Sequence, residues 1–302
     1  MNDTNKQPSR GWLRHVPVFG ERLADRLERA PTVAVLRLSG VIGAARFGRP
    51  GAGLNLADMA GPIGAAFKLK RLKAVALAVN SPGGSPVQSA LIAGRIRQLA
   101  DENEVPVYAF CEDAAASGGY WLACAADTIY AQPASVIGSI GVISAGFGFN
   151  EAIKRLGVDR RVYTAGDVKS QLDPFQPEKG EDIKRLRALQ DDIHGQFKDW
   201  VRTRRGDRLK EDSPELFEGA FWTGNKALEM GLVDGLGDIR SVMRAEFGEK
   251  VRLRLVEKPK GLLQRRLGLG VRGGDGAEIG SGLSRGLLAA ADEQAWWARL
   301  GL

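Results

Sequence analysis

Three short β-rich runs, Val33–Ile42, Ala74–Val79 and Val105–Cys111, are each followed by a stretch that reads as helix. A strand that rejoins its sheet after a helix runs parallel to its predecessor, so the alternation predicts an α/β fold built from crossover connections. Between the first two runs lie a Gly- and Arg-containing loop, Gly43–Leu54, and a helix-like segment, Leu56–Lys70. Between the second and third, S-P-G-G-S at Ser81–Ser85 opens a helix from Val87 to about Ala100. Further strands are expected at Asp127–Tyr130, Gly141–Ser144 and Arg161–Thr164, with a short helix at Asn150–Leu156. Beyond Phe175 the pattern turns helical. Ile183, Leu186, Leu189, Ile193 and Phe197 recur at helical spacing within Glu178–Arg205, and Phe221–Asp234 holds another helix capped by Gly231.

With 302 residues, 44% apolar and 26% charged, the chain can bury a substantial core as one large domain or two small ones. The expected division is a basic amphipathic segment over 1–30, a main domain over 31–256, and a Gly-rich basic linker with a terminal helix over 257–302. The net charge of +7 sits partly in the tails, and Lys258–Arg272 holds basic residues and no acidic one. Such tails are usually just solvated. With neither zinc-finger spacing nor an RNA-recognition signature, nucleic acid is not an expected partner. Cys111 and Cys124 lie in apolar surroundings and read as buried small hydrophobes; a disulfide between them is open, but nothing demands it.

No apolar run reaches the roughly 18–20 residues a membrane span needs, and the first ten residues lack the apolar core of a secretory signal. The expected location is therefore cytoplasmic. Trp12, Val16, Phe19, Leu23 and Leu27, interleaved with arginines, suit a helix packed on the protein body, or else one lying on an anionic membrane.

The chemistry centres on D-A-A-A-S-G-G-Y, Asp113–Tyr120, which follows the third strand and leads into a small-residue helix, Trp121–Ala126. A serine at a strand-to-helix turn stands at the open end of a sheet, beside helical N–H groups that attract negative charge. The same residues also make an ordinary turn in which Ser117 caps the helix. Ala115 also stands where a G-x-S-x-G elbow has its first glycine. A nucleophilic serine needs a base. His15 precedes the core and His194 reads as part of a solvated helical face, so a Ser-His-Asp triad is not expected. A lysine serves only when neutral, which takes roughly three pKa units of depression, or about 4 kcal/mol of environment. Lys169, in T-A-G-D-V-K-S-Q-L-D-P-F (Thr164–Phe175), follows an expected strand and is the candidate. Taken alone, a lysine is a solvated surface charge.

Five motifs in order supply the missing context: S-P-G-G-S, A-S-G-G-Y (Ala116–Tyr120), I-G-S-I-G-V (Ile137–Val142), the Lys169 segment and W-T-G-N-K-A-L-E-M-G-L-V-D (Trp222–Asp234). Together they resemble the bacterial signal peptide peptidase A family of serine peptidases, including its SohB-like members, over about Val33–Asp238. The resemblance implies Ser117 as nucleophile, Lys169 as general base in a Ser-Lys dyad, and Ser139 as the residue that aims the lysine. It implies oxyanion-hole N–H groups from Gly84 and Gly118, and leaves Gly83 as simple turn geometry. It also implies peptide hydrolysis through an acyl-enzyme with no cofactor or metal, a Clp protease/crotonase-like β-α spiral with a helical C-terminal portion, and a homo-oligomer in which neighbours can complete a site.

Relatives commonly carry a transmembrane anchor and act on signal-peptide remnants; no span is visible here, which leaves peripheral membrane contact as the expected alternative. Two rival functions stand beside the peptidase. A catalytically inactive oligomeric scaffold would be expected to have lost Ser117 or Lys169. A crotonase-type acyl-CoA enzyme explains the glycine turns but not that pair.

Overall fold

The computed structural model describes residues 30–43, 54–210, 213–257, 294–295 and 297–300. The amphipathic segment with His15, most of the Gly43–Leu54 loop and nearly all of the 257–282 linker lie outside the described residues.

The centre of the molecule is three parallel strands, β1 (Thr32–Ser39), β2 (Leu72–Ser81) and β3 (Val107–Ala116). Ala74–Val79 of β2 is buried at every position, as a strand covered on both faces must be, so its sequence is a continuous apolar run and not an alternation. The crossovers are α1 (Leu56–Ala66) and α2 (Pro86–Asn103), and α3 (Gly118–Ala123) follows β3 directly. Ser85 starts α2 by accepting the Gln88 N–H, with Pro86 in the first turn. Ile92, Ala93, Ile96 and Ala100 then turn one face inward at helical spacing. They join Leu36, Leu77 and Leu122 in the main core. The opposite face of the sheet buries a smaller cluster around Val33, Ala76, Phe110 and Met243. Met243 belongs to a later helix, Ile239–Phe247.

The rest of the sheet departs from the sequence reading. β4 (Thr128–Ala131) forms as expected beside β3, and β5 (Val136–Gly138) also pairs with β3. The expected strands Gly141–Ser144 and Arg161–Thr164 do not form. Residues 143–149 and 154–169 are exposed and pair with no strand, and a β-rich run without a sheet edge stays extended chain. Within this arm only α4 (Asn150–Arg155) is helical.

The long helix α5 (Gly180–Arg205) does form, but only Phe197 and Val201 of its apolar stripe region are buried, and Leu189 is 57% exposed. The stretch read as one helix from Phe221 begins as β6 (Phe221–Thr223), antiparallel to β5, before α6 (Gly224–Glu229). β7 (Gly235–Leu236) pairs with β4. After α7 (Ile239–Phe247), β8 (Arg252–Leu255) adds a parallel edge to β1.

Candidate active site

β3 ends at Ala116 and α3 begins at Gly118, leaving Ser117 alone at the turn with φ 52° and ψ −123°. For a residue with a side chain this backbone is strained by about 1–3 kcal/mol, and neighbours must hold it. They do: the Ser117 N–H donates to the Gly138 carbonyl at 2.8 Å, and its own carbonyl accepts from the N–H groups of Tyr120 and Trp121 at 2.9 and 3.0 Å. The side chain makes no capping hydrogen bond, so the capping alternative does not describe this serine.

The Pro82–Gly84 turn, at the end of β2, lies against Ser117. A Cβ on Gly83 would stand 2.7 Å from the Ser117 Cβ and 3.1 Å from the Gly118 nitrogen. Gly83 is thus required by the packing of the serine, which goes beyond turn geometry. At Gly84, φ is +138° and the Ile42 carbonyl occupies the place of a Cβ. Ile42 clamps the turn from both sides, donating to the Gly83 carbonyl and accepting from the Ser85 N–H, each at 2.8 Å. That leaves the Gly84 N–H without an acceptor among the described residues. The Gly118 N–H opens a helix and has none within it. Two amides without an acceptor among the described residues therefore belong to the turns that meet at Ser117.

Ser139 follows β5 with φ 54°, fixed by its N–H to the Ala220 carbonyl at 2.6 Å and by the Gly141 N–H donating to its carbonyl at 2.9 Å. Ser117 and Ser139 line one cavity of about 400 Å³, together with Pro82, His194, Glu218 and Phe221. His194 corrects the sequence reading. It does not sit on a solvated face: its Nε2 lies 3.1 Å from the Ile140 carbonyl, and a carbonyl only accepts, so Nε2 carries a proton. The period of α5 places this residue on the cavity side, a fact hidden in sequence by the charged residues around it.

Lys169 stands apart. It lies in the turn segment of the arm, its N–H donating to Gly166 at 3.2 Å, its side chain exposed and outside the cavity that Ser117 lines. The chain thus gathers Ser117, Ser139, Gly84 and Gly118 but not Lys169.

Behind the serine, α3 is pinned from within. The Tyr120 hydroxyl donates to the Leu232 carbonyl at 2.7 Å, and Arg205 meets Asp234 through two bonds of 2.9 and 2.8 Å while its Nε donates to Gly231. Asp234 also accepts the Ile129 N–H at 2.7 Å. Burial opposes its ionisation, but the hydrogen bonds from Arg205 and Ile129 and the nearby guanidiniums outweigh that and hold its pKa below the ordinary 3.8. Cys111 and Cys124 are free, buried thiols here, and burial pushes Cys124 up to about 12. The G-L-V-D end of the fifth motif is therefore structural support.

Residues 100–251 match the family model of peptidase family S49. A protein of Brucella abortus named as the Na(+)/H(+) antiporter NhaA is 52% identical over 95% of this chain, and the chain spans 39% of that relative's length. A putative protease of Synechocystis, slr0021, is 34% identical over 66% of this chain and 73% of its own. A putative signal peptide peptidase SppA of Enterococcus faecium is 33% identical over 56% and 48%. Among solved structures, the membrane-bound stomatin-specific protease 1510-N with a bound substrate peptide aligns at 16% identity and a TM-score of 0.48, over 77% of this chain and 94% of that one.

Proposed function

The chain belongs to peptidase family S49, and from that premise we propose that it is a serine peptidase whose nucleophile is Ser117 and whose general base is Lys169. One observation carries the reading: a serine in a strained turn, its side chain unused by the helix it precedes, between two glycine turns whose amides have no acceptor among the described residues. Ser117 Oγ attacks a peptide carbonyl and gives its proton to the lysine amine. The N–H groups of Gly84 and Gly118 bind the oxyanion, each such donor contributing about 3 kcal/mol to the transition state. Lysine then protonates the leaving amine, and water hydrolyses the acyl-enzyme. Ser139 aims the amine.

The exposed position of Lys169 supports a site completed by a second copy. The arm that carries it presents the large apolar side chains of Phe147 (82% exposed), Leu156 (76%) and Tyr163 (89%) to solvent, the kind of surface that marks an interaction site when it clusters. A homo-oligomer would cover that surface and bring one copy's lysine to another's serine. Short peptides, signal-peptide remnants among them, are the substrate class in this reading. No described helix is long and apolar enough to cross a membrane, so the transport named for the Brucella relatives is assigned to the part of them that this chain does not span. For this chain the reading adds a cytoplasmic location with peripheral contact at the membrane surface.

Labelling by a fluorophosphonate probe tests this. Wild type is expected to label, and Ser117→Ala and Lys169→Ala are each expected not to. Mixing the two inactive variants should restore labelling at about a quarter of random subunit contacts, because each supplies what the other lacks. Full labelling of Lys169→Ala removes the base assignment. No labelling of a folded, assembled wild type favours the inactive scaffold.

A further inference from the structure

We infer that Glu218 makes the cleft selective for peptides that carry a basic side chain beside an apolar one. The inference rests on the peptidase reading and adds its substrate class.

Glu218 lines the same cavity as Ser117 and Ser139. Its backbone is held there by two independent contacts. The Ser139 N–H donates to the carbonyl of Ala220, two residues on, and Gly219 packs so closely on Gly141 that a Cβ on Gly141 would come within 3.0 Å of it. The carboxylate is therefore carried by a loop fastened to the serine wall. Among the described residues it has no ion-pair partner, although acidic residues elsewhere on the surface, such as Glu151, Glu181 and Glu229, pair locally with lysines. The same lining includes the apolar side chains of Val142, Ile143 and Phe221. An unpaired carboxylate beside an apolar surface is complementary to a cation followed by a hydrocarbon side chain.

A second observation points the same way. Arg299 and Leu300, a basic residue followed by an apolar one, line this cavity although they lie more than 70 residues beyond β6 in sequence. The cleft thus has room for a basic residue followed by an apolar one.

The test uses the full chain and two fluorogenic peptides built on Trp-Trp-Ala-Arg-Leu, one with arginine and one with norleucine in its place. Wild type should cleave the arginine peptide with a kcat/KM about 5-fold higher, the upper range for one partly exposed ion pair. Glu218→Gln should bring the ratio near one by lowering only the arginine rate, and Glu218→Lys should invert it. Fluorophosphonate labelling and norleucine cleavage, measured in each variant, give the internal reference for the arginine rate. An unchanged ratio in Glu218→Lys, with labelling and norleucine cleavage intact, overturns the selectivity while leaving the peptidase standing. Absence of both labelling and cleavage in wild type overturns both.

Discussion

The two regions that the proposed mechanism joins are built in opposite ways. Behind Ser117, Tyr120, Arg205 and Asp234 are locked together, with Arg205 1% exposed and every polar atom of the pair engaged. On the arm that carries Lys169 the contacts are just as specific but stay local. Arg160 pairs with Asp173 and stacks 4.7 Å over Phe175, and Phe175 packs on Phe149, while Phe147 and Tyr163 face outward. A serine must hold a strained backbone, so its chain builds a rigid seat for it. A lysine that works only when taken out of water cannot be finished by an arm that remains in water. In the proposed mechanism the nucleophile is an intrachain product, and the base awaits burial.

The largest test of this contrast pits the two regions against each other. Asp234→Ala removes one partner of a buried pair and should cost about 3–5 kcal/mol, seen as a fall in Tm, with loss of labelling following from unfolding. Phe147→Ser with Tyr163→Ser should leave the Tm of the folded unit nearly unchanged, yet reduce sedimenting oligomer and lower labelling by about 100-fold, since small misplacements of a base cost that much. If the arm variant stays assembled and active, the arm is not the interface and the contrast breaks.

A smaller effect sharpens the buried side. The folded pKa of Asp234 lies below the unfolded value near 3.8, so its stabilisation is complete above that value and is lost as pH falls from there toward the folded pKa. Acid titration of Tm should show this loss in wild type and much less of it in Asp234→Asn, measured as the difference between the two curves. The smallest effect is on the arm: Lys154→Ala breaks an exposed pair with Glu151 and should shift stability by about 0.3 kcal/mol. A loss above 1 kcal/mol in chemical denaturation would mean the arm is more tightly held than its exposure implies.

The central strands, α2 and the Ser117 turn were legible because burial on both faces and a proline-started, serine-capped helix leave local marks: Val75–Val79, Ser85-Pro86, Ser117-Gly118. β5, β6 and β8 were not. Strands of three or four residues at a sheet edge carry almost no period, and Phe221–Thr223 looks like the start of the helix it precedes. Gly141–Ser144 and Arg161–Thr164 failed for the converse reason: their composition suits a strand, but no edge receives them. His194 was hidden because a helix's polar neighbours do not reveal which residue faces a cavity. Glu218 was invisible because its placement comes from Ala220 and Gly219 meeting Ser139 and Gly141, far away in sequence.

The left-handed backbones of Ser117 and Ser139 bear on how such a chain drifts over generations. Glycine at either position would relieve strain of about 1–3 kcal/mol, against about 0.5–1 kcal/mol for its greater freedom when unfolded. Loss of the hydroxyl is thus a downhill step in folding, and in the proposed mechanism only selection for turnover opposes it. A lineage released from that selection would shed its chemistry first and keep its architecture, growing more stable as it fell silent.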